Sequence, residues 1–169
     1  MKRQAGFTII ELVVVIALLG ILAAVALPRF IDVTTDAHRA SVQGSAGALG
    51  AAVALVKAQA IVKNVGAGDT VAIDGINIIV NGTRFPVSTN GAAITGGTTA
   101  VPALSAATCV ATWDAVLQAS APSVAAAAGS DYLATVSGTV CTYAYQNSLP
   151  TVRTIAYDTN NGDVSTTNP

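Results

Sequence analysis

The sequence predicts an α+β fold: a long N-terminal helix, membrane-spanning in its first half and amphipathic in its second, packed on a small antiparallel β-sheet head. Three observations predict it. An almost unbroken apolar run extends from Phe7 to Leu27, small and apolar residues recur at three- and four-residue spacing as far as Lys63, and short β-prone runs punctuated by turn residues follow Asn64. The chain therefore divides into a leader, 1–6, a transmembrane helix, 7–27, its amphipathic continuation, 28–63, and a globular β-rich head, 64–169.

The apolar run is close to the roughly 20 residues that a helix needs to cross a hydrocarbon core of about 30 Å. Lys2 and Arg3 precede it with no acidic residue between them, so the positive-inside rule keeps this end cytoplasmic and sends the chain beyond Arg29 outward. Glu11 is the one charge in the run. A carboxylate at that depth is costly and calls for a partner or a function, although a position near a helix N-terminus also favours negative charge. Cleavage of the Gly6–Phe7 bond would create an α-amino group four residues from Glu11, and the two could pair within one chain or between neighbours. A rival processing site, Ala24-Val25-Ala26, resembles the end of a secretory signal peptide and would give a chain beginning at Leu27. Against it stand the length of the apolar region, Glu11, and a helical pattern that continues past the site.

Phe30, Val33, Ala37, Ala40, Gly44, Ala48, Ala51, Leu55, Ala58 and Val62 form the stripe of the second half, with Asp32, Asp36, Arg39 and Gln43 off it. One helix from Phe7 to Lys63 would be roughly 80 Å long at about 1.5 Å per residue, so half of it needs a bilayer or sister helices around it. Pro28 removes an amide donor and crowds the preceding turn, which predicts a kink; Gly20 weakens the same stretch. Gly44, Gly47 and Gly50 suit close approach to a sheet or a second helix.

In the head, Val71 to Ile73, the turn Asp74-Gly75, and Ile76 to Val80 read as a hairpin, and Asn81-Gly82 offers a second turn before Thr83 to Pro86. Residues Val87 to Val101, rich in Thr and Gly, read as an exposed loop. A short helix from Ala106 to Ala119 packs through Trp113 and is stopped by Pro122. Thr139 to Tyr145 and Thr151 to Tyr157 form a second antiparallel pair around a turn through Asn147 and Pro150. Cys109 and Cys141 are the only cysteines, both on the outward side of the membrane, and a disulfide between them is the natural inference in an oxidising compartment. Two free thiols are the alternative.

The formal charge of -1 falls by two, to -3, if Lys2 and Arg3 leave with the leader, and the remaining cations are scattered, so a nucleic-acid footprint is lacking. One histidine, His38, read as a solvated surface residue, and no clustered carboxylates leave an enzyme's nucleophile, base and orienter without candidates. No cofactor or metal is called for. Asp158-Thr159-Asn160-Asn161-Gly162-Asp163 misses the calcium-loop pattern, with glycine at a ligand position, and reads as a β-turn.

The junction from Lys2 to Glu11 resembles that of the type IV prepilins. The resemblance implies a membrane peptidase that cuts after Gly6 and methylates Phe7, a glutamate, Glu11, that pairs with the amine of an adjacent subunit during assembly, and a Gly20–Pro28 stretch able to lose helicity in a filament. Patches in the head are similar to major pilins of mannose-sensitive haemagglutinin (MSHA) pili: Ile73 to Gly75, Asn81-Gly82, Phe85-Pro86, Trp113 to Leu117, Cys141 to Tyr145 and Ile155 to Tyr157, with Pro28 to Asp32 before them. That implies an inner-membrane precursor, a homopolymer built by a pilus assembly machinery, an extracellular filament, and surface attachment and biofilm formation through a receptor the sequence does not specify. The alternative is a pseudopilin of a type II secretion system; a disulfide in the head and a Thr/Gly-rich surface favour the pilus.

Overall fold

The structure, a computed structural model, describes residues 6–90, 100–118, 121–148 and 150–168, without the side chains of residues 31, 32 and 90. Lys2, Arg3 and the Thr95–Thr99 loop lie outside the described residues. The chain forms two compact units, residues 1–37 and 38–169.

The first helix, α1 (Ile9–Val62), runs through both Gly20 and Pro28. In the first unit its large apolar side chains are exposed, from Phe7 to Val33. Its C-terminus is closed by a left-handed Asn64 (φ 51°), with Asn64 N–H donating to Ile61 O and Val65 N–H to Ala60 O. This is the Schellman arrangement, completed by Val65 and Ala60 buried in one apolar cluster.

The second unit holds two sheets and one short helix. Strands β1 (Thr70–Ile73), β2 (Ile76–Val80) and β3 (Pro86–Asn90) form an antiparallel meander. The Asp74-Gly75 turn supplies the two positive φ values, 48° and 83°, that a two-residue hairpin of this kind demands. Helix α2 (Ala106–Leu117) starts in a reciprocal cap between Ser105 and Thr108. The larger sheet has the order β4 (Val124–Ala125), β5 (Tyr132–Ser137), β6 (Val140–Tyr145), β7 (Arg153–Asp158), β8 (Val164–Thr167), antiparallel except for β4 beside β5.

One face of this sheet packs on α1 and α2. Trp113 is wholly buried, 5.0 Å from Tyr132 and 4.7 Å from Tyr143 between ring centroids, and its indole N–H donates to Pro122 O at 3.0 Å. Tyr143 and Tyr157 direct their hydroxyls to backbone acceptors, Cys109 O at 2.9 Å and Pro86 O at 2.8 Å. Burial pushes both phenols well above the usual tyrosine range. The disulfide joins Cys109 of α2 to Cys141 of β6, Cα to Cα 5.6 Å. It thus fastens the short helix to the middle of the sheet.

The two sheets meet at their turns. Asn81 Nδ2 donates to Thr159 O, and Thr83 Oγ1 to Asn160 O. Phe85 fills the space between, with Lys57 Nζ 3.9 Å above its ring centroid. Gly162 (φ 82°) lies so close to the ring that a Cβ there would stand 2.0 Å from Phe85 Cε1.

Several sequence expectations need correction. The buried side of α1 in the head is Val42, Ala46, Leu49, Val53, Val56 and Ala60, whereas Gly44, Ala48, Ala51, Leu55 and Ala58 face outward. The helix is apolar nearly all round, so spacing alone could not choose a face, and contact with the sheet and α2 decides it. Gly44 and Gly47 have open space around them, and only Gly50 comes near the sheet, at 3.9 Å from Val164. His38 is half-buried, its Nδ1 3.1 Å from Tyr145 Oη. Residues 87–90, expected in a loop, belong to β3, where they pair with β2.

Candidate assembly and processing site

The residues that the sequence singles out for processing and assembly lie at the start of α1. Gly6 has no heavy atom within 4 Å of a Cβ built on it, and Phe7 is 84% exposed. The Gly6–Phe7 bond thus sits in open backbone immediately before the helix. Thr8 comes next and shapes the first turn. Its hydroxyl accepts from Glu11 N–H at 3.3 Å, while Glu11 Oε2 accepts from Thr8 N–H at 2.9 Å and from Thr8 Oγ1 at 2.7 Å. This reciprocal pattern satisfies two backbone donors that the first turn of a helix otherwise leaves orphaned.

Glu11 therefore has a partner within its own chain before any neighbouring amine arrives. The apolar run alone suggests a carboxylate with nothing to offset its cost; the folded turn supplies that offset. The residue that sequence reasoning missed is Thr8, and its signal was legible: Thr8-Ile9-Ile10-Glu11 is the spacing of a helix-capping box placed just ahead of an apolar run. The same arrangement points Glu11 toward the N-terminal end of the helix, the end at which cleavage would place a new amine.

Beyond this turn the helix presents apolar side chains without interruption. Its most apolar 18-residue window has a mean hydropathy of 3.0 and no residue buried within the chain. Such a surface is stable only when lipid or another protein covers it. Among the described residues no group of three or more metal-ligating side chains occurs.

Residues 1–27 match the family described as the prokaryotic N-terminal methylation motif. The chain is 48% identical over 58 residues to a type IV narrow pilus major component of Thermus thermophilus, a match covering 34% of this chain and 50% of that one. It is 43% identical over 72 residues to a fimbrial protein of Pseudomonas aeruginosa, covering 41% and 47% of the two chains. A type IV major pilin protein of Neisseria gonorrhoeae is 65% identical over 35 residues, 21% of each chain. The chain spans about half the length of the curated relatives it matches first. No solved structure matches it.

These relatives are pilus subunits and fimbrial proteins. Within that class, the N-terminal motif and the pilin relatives identify the chain as similar to the type IV pilins, and its long helix on antiparallel sheet is consistent with that fold.

Proposed function

We propose that this chain is the subunit of an extracellular type IV pilus, polymerised through α1, and that the pilus mediates surface attachment and biofilm formation. The observation that carries the reading is the conjunction of a methylation motif with a helix whose N-terminal half is apolar and uncovered. A prepilin peptidase would cut at Gly6–Phe7 and methylate Phe7. Glu11 would then exchange its Thr8 hydrogen bonds for the Phe7 amine of a neighbouring subunit, so that sister helices replace the bilayer around the apolar surface. Gly20 and Pro28 mark the stretch of α1 least able to hold its helical hydrogen bonds, and under load this stretch would extend first.

The MSHA-type pilus is the finer assignment. It is supported by the head's sequence patches and by what they build: Phe85 at the joint of the two sheets, Trp113 at the core, and Cys141 in the disulfide. Electron microscopy of filaments sheared from producing cells, with mass spectrometry of their N-terminal peptide, tests the proposal. Filaments whose subunits begin at N-methylated Phe7 support it. A soluble, unassembled protein beginning at Leu27 would overturn it.

A further inference from the structure

Aromatic rings run in near contact from the core of the head to its rim. From the inside outward they are Tyr143, Trp113, Tyr132, Tyr145 and His38, with centroids 4.7, 5.0, 5.2 and 5.6 Å apart in turn. Tyr143, Trp113 and Tyr132 are wholly buried, whereas Tyr145 and His38 are half-buried. The inner end shares one apolar cluster with both halves of the disulfide, and Tyr143 Oη donates to Cys109 O at 2.9 Å. Tryptophan and tyrosine are among the side chains that lose a single electron most readily, and an electron moves easily between rings this close. An oxidised Trp113 can therefore draw an electron from Tyr132, and Tyr132 from Tyr145.

The proton decides where the missing electron is finally registered. A tyrosine that loses an electron becomes a strong acid, and it keeps the vacancy only if a base takes the phenolic proton at once. Of the four tyrosines, Tyr143 and Tyr157 donate to the backbone carbonyls Cys109 O and Pro86 O, which do not hold a proton near neutral pH. The enclosed Tyr132 hydroxyl, beside that of Ser45, makes no hydrogen bond. The indole N–H of Trp113 also faces a carbonyl, Pro122 O. Tyr145 is different: Nδ1 of His38, the only histidine of the chain, stands 3.1 Å from its Oη. With the imidazole proton on Nε2, Nδ1 accepts the phenolic hydrogen, within the reach that proton transfer needs.

We propose that Tyr145 and His38 form a redox-active pair at the outer end of the ring chain, which carries an oxidising equivalent away from Trp113 and the disulfide to the rim of the head. The step balances. Tyr145 gives one electron, by way of Tyr132, to the Trp113 radical cation, and its phenolic proton passes to His38 Nδ1. The products are a neutral Tyr145 phenoxyl radical, a His38 imidazolium and restored tryptophan. The vacancy enters from a one-electron oxidant such as a hydroxyl or peroxyl radical. A small reductant of the thiol or ascorbate class, reaching the half-buried Tyr145, returns the electron while His38 returns the proton. Nothing in this step depends on assembly into a pilus.

Laser photo-ionisation of the full-length chain in detergent tests the pair. Trp113 is the only tryptophan, so light at the long-wavelength edge of indole absorption places the vacancy there, and a cobalt(III) ammine in the buffer takes up the ejected electron. In the wild type, the transient absorption of the indolyl radical should give way to that of a phenoxyl radical at a rate independent of protein concentration. Tyr145→Phe keeps the ring and removes the hydroxyl; the phenoxyl signal should be lost and the indolyl radical should persist. His38→Gln should also lose the phenoxyl signal, although every tyrosine remains. Tyr157→Phe should keep it at wild-type size. Near-ultraviolet circular dichroism checks that each variant retains its core, and Tyr145→Phe carries the test by itself if His38→Gln does not. A phenoxyl signal of wild-type size in folded Tyr145→Phe or folded His38→Gln would overturn the pair, as would the absence of any phenoxyl signal from the wild type.

Discussion

Replacing Gly162 by alanine should damage the head far more than its place in an exposed turn suggests. Two costs add. Gly162 has φ 82°, where a side chain meets the backbone at a cost of about 1–2 kcal/mol. The new Cβ would also stand 2.0 Å from Phe85 Cε1 and 2.5 Å from Cζ. Phe85 cannot swing away freely, because it is 6% exposed and Lys57 lies 3.9 Å over its ring. Overpacking of this kind costs about 1–3 kcal/mol. A total of roughly 3 kcal/mol corresponds to a fall in Tm of roughly 6–12 °C for a chain of this size. Thermal unfolding of the detergent-solubilised protein, followed by the near-ultraviolet circular dichroism of Trp113, reads it. Gly138→Ala is the control, since Gly138 has φ 59° but no atom within 4 Å of its Cβ position. It should lose only the backbone part, about 1 kcal/mol or roughly 2–4 °C. Adding Phe85→Leu should recover part of the Gly162→Ala loss by making room. If the two glycine variants fall equally, and Phe85→Leu recovers nothing, the joint between the sheets is not packed as described.

Other outcomes concern the head and the helix start. Removing the Cys109–Cys141 bond, whose partners are 32 residues apart, should cost about 4 kcal/mol on the loop-entropy scale, and Cys141→Ser should unfold at correspondingly lower denaturant; an unchanged midpoint would contradict this. Thr8→Val should reduce assembly while Thr8→Ser retains it, because only the hydroxyl and the capping geometry hold Glu11; equal filament yields from both would remove Thr8 from the site. Glu11→Ala should leave a membrane-inserted, folded subunit that forms no filaments, and a normal yield would refute its assembly role. Tyr143 and Tyr157 should resist ionisation at a pH where a free phenol titrates. The sign follows from burial: their folded pKa values lie above the unfolded value near 10, so their contribution is complete below about pH 10 and declines as pH rises beyond it. Absorbance titration showing all four tyrosines ionising together in a still-folded protein would contradict that.

The helix, the first hairpin and the β6–β7 pair were legible because each carries a local signal: apolar length for α1, Asp74-Gly75 for the hairpin, and alternation for Arg153 to Tyr157. Strands β5 and β8 were not. Tyr132 to Ser137 alternates only through Tyr132 and Ala134, and Val164 to Thr167 has one apolar residue, so both are strands because neighbours pair with them and not because of their own pattern. The choice of buried face on α1 was lost for the opposite reason, an excess of apolar residues on every side. At the N-terminus, Glu11 stood out by charge, while Thr8 was overlooked because a threonine ahead of an apolar run is commonplace until its hydroxyl is seen on that carboxylate. Arg153 is silent in sequence altogether. Its place in the sheet is set by pairing with Tyr145 of β6, which no local pattern announces.

The central claim is that α1 exchanges a bilayer for sister helices after cleavage at Gly6–Phe7. Mass spectrometry of the N-terminal peptide of sheared, purified filaments tests it most directly. The account predicts a peptide beginning at Phe7 and carrying one methyl group on its amine, recovered from filaments and absent from a Glu11→Ala strain's medium. A peptide beginning at Leu27, or an unprocessed N-terminus in assembled filaments, would contradict it.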